Sequence, residues 1–292
     1  MDYTCQSETG SIRSLFIKKS TDAFISDEHL NLEWKKLNYL EKPLFEKAAG
    51  EYSLFESALK QKVPEIHCLP ADGEVNMDSI YCRDASIATD KGMIICRMGK
   101  EDRKNEPAAQ KKVFESRHIP VLGEIIFPGT AEGGDALWLD ETTLAIGYTY
   151  RTNLEGIGQI RKLLEPAGIE IVQVDLPHYK GPSDVFHLMS IISPVDRDLA
   201  LVFSPLMPIA FRKLLLKRGY RLIETPEAEF ESMGCNVLAM GPRDCLAAAG
   251  NPLTKAALEK EGCRVTIYHG EEISLKGGGG PTCLTRPIRR NR

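Results

Sequence analysis

No stretch of this 292-residue chain approaches the roughly 18 consecutive apolar residues that a membrane span requires, so no membrane partner is expected. The opening MDYTCQSETG is acidic and polar, unlike a signal peptide. None of the eight cysteines stand in a C-x-x-C pair, which removes the usual zinc spacings. An excess of positive charge is missing too. The formal net charge is −4, which leaves no global electrostatic reason to bind nucleic acid or an anionic surface. The one basic cluster, Arg286, Arg289, Arg290 and Arg292, is terminal and reads as a solvated tail.

With 42% hydrophobic and 27% charged residues, the composition is that of a globular protein. A chain this long buries roughly three quarters of the surface its unfolded form exposes. Its core needs no disulfide or metal staple, and no metal or organic cofactor is expected. Several cysteines lie inside apolar runs, where a free thiol packs as a small hydrophobe. With no export signal, that usage points to a reducing cytoplasm.

Five markers recur at nearly even intervals: Asp84 (CRDASIA), Asp135 (GGDALWL), His187 (VFHLMSI), Asn236 (GCNVLAM) and Cys283 (PTCLTRP), at steps of 51, 52, 49 and 47 residues. Each opens a short apolar run that reads as a strand. A fixed period near fifty residues signals repeated supersecondary units. If those units are arranged radially, equivalent positions meet on one axis. A second series runs in step, with strands beginning near Val63, Ile119, Ile169, Tyr220 and Cys263. Amphipathic patterns precede them at 154–168, 208–219 and 252–262, with Gly168, Gly219 and Gly262 placed for left-handed caps. Thr152 and Asn153 suit the start of the first of these helices. One unit therefore reads as helix, strand, marker and hairpin. The expected architecture is a single α/β domain over residues 1–292, with units starting near 45, 105, 152, 206 and 250. Residues 1–44 supply an extension whose strand SIRSLFIKK completes the last unit.

Cys283 lies in KGGGGPTCLTRP, a permissive backbone that lacks the Gly-Lys-Ser/Thr ending of a phosphate loop. A thiol becomes a nucleophile when a positive neighbour favours its thiolate, and His187 shares its phase. Glu132 and Asp135 flank two glycines. Asp78 and Asp84, six apart, fall on one face of an extended strand. Carboxylates arrayed around a cysteine and a histidine suit a planar cation, and guanidinium matches them best.

MDSIYCRD, TAEGGDALWL, YRTNLEG, FHLMS and GGGGPTCLT, in that order, resemble the guanidino-group-modifying superfamily. Its fold is the five-bladed α/β propeller called the pentein fold. The likeness is greatest to dimethylarginine dimethylaminohydrolases and runs from about Asp78 to Thr285. It implies Cys283 as nucleophile, His187 as acid and base, Glu132 beside the histidine, Asp78 and Asp84 on the guanidinium, and Arg151 on the substrate carboxylate. Arg97 matches a second carboxylate-binding arginine, and Asp135 joins the binding set. Two departures stand out. Position 189 is Met where deiminases and glycine amidinotransferases carry His-x-Asp, and Gly278 stands where the dimethylarginine enzymes place an acid.

The resemblance implies hydrolysis of dimethylarginine, or of an arginine-like compound, to citrulline and an amine through a covalent cysteine intermediate. The implied partner is a small guanidino substrate, and the implied assembly a monomer or homodimer. An arginine deiminase or dihydrolase, an amidinotransferase, and a non-catalytic binding protein on the same propeller remain the alternatives. The polar stretch 98–112 suggests a lid.

Overall fold

The computed structural model describes residues 4–291. Its chain opens with β1 (Ile12–Ile17), two short helices α1 (Ser20–Phe24) and α2 (Asp27–Glu33), the long α3 (Phe45–Lys60) and β2 (Glu65–Cys68). Then one pattern repeats four times. It runs β3 (Ser86–Thr89), β4 (Gly92–Ile95), α4 (Glu106–Ser116), β5 (Val121–Glu124), then β6 (Ala136–Asp140), β7 (Thr143–Tyr148), α5 (Leu154–Leu164), β8 (Glu170–Asp175). It continues β9 (Ile192–Asp196), β10 (Leu199–Val202), α6 (Ile209–Lys217), β11 (Arg221–Glu224), then β12 (Val237–Gly241), β13 (Asp244–Ala248), α7 (Pro252–Lys260), β14 (Arg264–Tyr268), and ends at β15 (Arg286–Arg290).

The strands form five three-stranded sheets, the five blades of an α/β propeller. In each of the four contiguous blades a tight antiparallel hairpin is followed by a helix that returns the chain to a parallel third strand. Such a parallel pairing needs a crossover, which the helix supplies. The expected unit is therefore shifted in phase. Each helix and its strand pair with the hairpin before them, not with the one after the marker. The fifth blade joins the two ends of the chain, with β1 antiparallel to β15 and parallel to β2. The basic cluster is thus not a solvated tail. Arg286 and Arg290 lie in β15 and are buried, because closure of the ring recruits that strand; Arg292 falls outside the described residues.

Hairpin strands such as Ser86–Thr89, Gly92–Ile95 and Leu199–Val202 are buried at every position, as near-continuous apolar runs require. The third strands carry exposed residues, as Glu170–Asp175 does. Each fully buried Leu or Ile of the hairpins contributes about 1.5–3 kcal/mol. First strands of neighbouring blades touch, β9 with β12 and β3 with β15. Helix ends follow the sequence: Asn153 caps α5 by accepting from the Gly156 N–H, and Gly168, Gly219 and Gly262 have φ of 69°, 85° and 83°. Thr152 takes no part in the cap and bonds Asp135 instead. Among the described residues, no helix is long and apolar enough to cross a membrane.

The markers act as fasteners between blades. Asp84 Oδ1 accepts from the Gly134 N–H at 3.1 Å, Asp135 Oδ1 from the Leu188 N–H at 3.0 Å, and Asn236 Oδ1 from the Thr282 N–H at 3.2 Å. The Cys283 carbonyl accepts from the Arg83 N–H at 3.2 Å. The remaining junction, between β9 and β12, uses Ser193 rather than His187: its hydroxyl donates to the Cys235 carbonyl and accepts from the Val237 N–H. These bonds complete a ring, which brings residues two hundred positions apart to one centre.

Candidate active site

A cavity of about 180 Å³ opens where the markers meet. Its lining includes Asp78, Arg151, His187, Asn236 and Cys283. Cys283 sits at the end of the glycine-rich loop, directly before β15. That loop is glycine for steric reasons: a Cβ on Gly280 would lie 2.4 Å from Asn236 Oδ1. Asn236 fixes the cysteine from both sides. Its oxygen accepts from the Thr282 N–H and hydroxyl, and its Nδ2 donates to Cys283 Sγ at 3.6 Å. Burial pushes the Cys283 thiol above its usual pKa, Asp84 adds to the effect, and the donors Thr282 and Asn236 oppose it. The resting group is therefore a thiol at neutral pH.

His187 lies across the blade junction, facing Gly134, where a Cβ would come within 2.4 Å of Nδ1. Its Nε2 pairs with Glu132 Oε2 at 2.8 Å, and Nδ1 lies 3.9 Å from Asp84 Oδ1. Burial alone would lower the imidazole pKa. Asp135, Asp84 and Glu132 outweigh burial and raise it to about 9. The ring is thus an imidazolium at neutral pH. Glu132 is buried too, which opposes its charge, yet the hydrogen bond from His187 and the nearby Arg151 hold it well below the usual carboxylate range.

The sequence-named residues fall into three groups. Cys283, His187, Asp78 and Arg151 line the cavity. Glu132, Asp84 and Asp135 stand buried behind its wall. Arg97 is elsewhere: it pairs with Ala131 in a β-bridge, donates to the Gly129 carbonyl and lies over the Phe127 ring. Asp135 also departs from the expected binding role. It is fully buried, and its oxygens accept from the Leu188 N–H and the Thr149 and Thr152 hydroxyls, so it orients the rim rather than meeting a ligand. Asp78 lies in the 3₁₀ turn Met77–Ile80, so the extended-strand argument for its alignment with Asp84 does not hold.

What joins those two acids is the stretch taken for a lid. Arg103 is 3% exposed and binds Asp84 Oδ2 at 2.6 Å and both oxygens of Glu106. Lys100 Nζ binds Asp78 Oδ2 at 2.6 Å. The Gly99 and Lys100 N–H groups both donate to Glu132 Oε1. Residues 99–103 are therefore part of the wall, and α4 follows directly. Lys100, Arg103 and Asn236 were not among the expected site residues. Asn236 had the right phase to be found; the two cations looked like surface charge.

The family description "N,N dimethylarginine dimethylhydrolase, eukaryotic" matches residues 22–290. The chain belongs to that family. Similar proteins include the uncharacterized protein YkgA of Bacillus subtilis, 27% identical over 98% of this chain and 95% of that protein. The N(G),N(G)-dimethylarginine dimethylaminohydrolase of Pseudomonas aeruginosa is 27% identical over 85% of this chain and 91% of its own. A solved Pseudomonas aeruginosa structure, a cysteine-to-serine mutant complexed with citrulline, superposes with TM-score 0.73 at 25% identity over 94% of this chain and 98% of its own. An amidinotransferase from Microseira wollei, at TM-score 0.80 and 13% identity over 100% of this chain and 98% of its own, shares the fold. Family and relatives together make this member a hydrolase acting on amidine C–N bonds.

Proposed function

We propose that the protein hydrolyses an arginine-like guanidino compound carrying a carboxylate, through a covalent adduct on Cys283. The observation that carries this reading is the pairing of a cavity-lining cysteine with a buried imidazolium held by Glu132. The Cys283 thiolate forms a C–S bond to the guanidinium carbon. His187 gives its proton to the departing amine as the C–N bond breaks. The neutral imidazole then takes a proton from water, whose oxygen attacks the thiouronium carbon. As the C–S bond breaks, the new hydroxyl proton passes to the sulfur and restores the thiol, whose own proton had gone to solvent when the thiolate formed. The products are a ureido compound and an amine, and one residue serves in turn as acid and base. From dimethylarginine these are citrulline and dimethylamine; from arginine, citrulline and ammonia.

The resting thiol fits this course. A guanidinium cation arriving beside the sulfur offsets the charge of Asp84 and the cost of burial, so the substrate itself favours the thiolate. Arg151, on the cavity wall and already paired with Glu132 at 3.3 Å, supplies the cation for a substrate carboxylate. The test is a panel of guanidino compounds assayed for ureido product and released amine, with mass spectrometry of the quenched enzyme. The reading requires turnover of at least one compound and an adduct on Cys283. Turnover without an adduct, retained in Cys283→Ser, overturns the covalent step; no turnover across the panel overturns the activity.

A further inference from the structure

Resting on that hydrolase reading, we infer that Lys100 is a built-in ammonium group that fills a cation subsite of the cavity, so that the substrate is a guanidino carboxylate with no ammonium beside its carboxylate. The subsite is made of the Leu37 carbonyl and the Asp78 carboxylate, which Lys100 holds and which is therefore not free for the guanidinium role the resemblance implied. Lys100 Nζ donates to both, at 2.9 and 2.6 Å, and all three residues line the cavity. A carboxylate and a carbonyl converging on one point is how a protein holds a primary ammonium, which has three donors and no acceptor.

Lys100 is not a surface lysine that swings away. Its side chain is 14% exposed, and its own N–H and that of Gly99 are anchored on Glu132 Oε1 at 3.1 and 3.0 Å. Arg103, three residues on, is buried on Asp84. The other acids on the wall do not replace the occupied subsite. Glu231 is held by Lys180 and the Tyr179 hydroxyl, which leaves Asp184 at the wall. Arg83, Lys100, Arg103, Arg151, Lys180 and Lys276 line the same cavity. These six cations outnumber the three acids of the lining, Asp78, Asp184 and Glu231. An α-amino acid would bring its ammonium to a subsite already filled by one. A carboxylate alone meets Lys100 and Arg151.

The matched pair for the test is L-arginine and 5-guanidinopentanoate, which is arginine without its α-amine; the corresponding Nω-dimethylated pair serves equally. Wild-type enzyme is expected to favour the des-amino compound at least tenfold in kcat/KM, chiefly through KM. Lys100→Met keeps the stem, removes the ammonium and frees Asp78. It should reverse the preference, improving arginine and weakening the des-amino acid. Calorimetry on Cys283→Ala, which cannot form the adduct, should show the same order of affinities. Equal handling of the pair by wild type, or a ratio unchanged in a folded Lys100→Met, overturns the inference and leaves the hydrolase reading standing. No turnover with the order of affinities retained overturns the hydrolase reading and leaves the subsite standing.

Discussion

The two walls of the cavity hold their protons by opposite means. On one wall, His187 sits among Glu132, Asp84 and Asp135, which are themselves held by Arg151, Arg103 and a set of hydroxyl and N–H donors. On the other, Cys283 sits among Asn236, Thr282 and glycines, with neutral donors and little else. Charge decides the first: the imidazole keeps its proton up to about 9. Desolvation decides the second: the thiol keeps its proton because the neutral donors Thr282 and Asn236 offset burial only in part. A buried acid network and a neutral pocket thus give the same resting state, both groups protonated. Only a cationic ligand placed between them changes one without the other.

The strongest way to break the comparison is to remove either end of it. Cys283→Ser and His187→Ala are each expected to lower turnover by roughly a thousandfold or more, since a nucleophile and its acid act as one unit. Cys283→Ser keeps the backbone fastening of its blade, so circular dichroism and the melting transition should stay near wild type. His187→Ala also breaks the buried pair with Glu132 across a blade junction, so its turnover is read on protein shown to be folded by the same two measurements. Citrulline or ureido product at near-normal rates from either variant would sink the mechanism.

Next in size is the charged wall itself. Arg103→Leu leaves Asp84 and Glu106 buried without their shared cation, and removing one partner of a buried pair costs about 3–5 kcal/mol. Arg103 Nη2 also donates to the Tyr81 carbonyl at 2.9 Å, so the loss spans the first blade's entry to the ring. Denaturant unfolding should show the drop as a lower midpoint. An Asn236 or Thr282 variant on the neutral wall should lose far less, and a similar loss from both walls would erase the distinction.

The third test reads protons directly. The reactive form has a thiolate and an imidazolium. Its population grows with pH up to the lower of the two pKa values and shrinks above the higher. With His187 at about 9 and Cys283 raised above its usual value, kcat/KM should climb through neutral pH and peak near or above pH 9. Glu132→Gln removes an anion that retains the imidazole proton, so the lower pKa falls, by roughly one to three units. The rising limb then ends at a lower pH. A profile already level at pH 7 in the wild type, or unmoved in Glu132→Gln, contradicts the charge account of that wall.

These residues also mark how far the sequence could be read. The markers were visible because Asp84, Asp135, Asn236 and Cys283 each fasten one blade to the next, with Asn236 and Cys283 also lining the cavity, so closing the ring imposes one period on all four. The third strands were visible for the same reason, each beginning within two residues of its expected start. Blade phase was not legible, because local periodicity gives an element's type and never its partner. The joining of β1 to β15 and the burial of Arg286 follow from that same blindness. Lys100 and Arg103 were hidden for an electrostatic reason. A charge is buried only where its partners are, and theirs lie at Asp78 and Asp84, about twenty residues away through a turn. The run GKEDRKNEP alone reads as solvated surface.

The smallest expected effect tests the neutral wall. Asn236→Ala removes the Nδ2 donor to Cys283 Sγ and the acceptor that holds Thr282. A neutral hydrogen bond contributes about 1 kcal/mol, or roughly fivefold in an equilibrium constant. The thiolate therefore becomes harder to form, and kcat/KM should fall by roughly that factor at pH 7. The loss should shrink as pH rises past the thiol pKa, where the thiolate forms without help. Titrating the thiol by its ultraviolet absorbance should show it moved further up in Asn236→Ala, while the His187 limb of the rate profile stays at about 9. That split separates a donor that tunes the sulfur from one that merely holds the loop. A loop role alone would lower the rate equally at every pH and leave the thiol titration where it was.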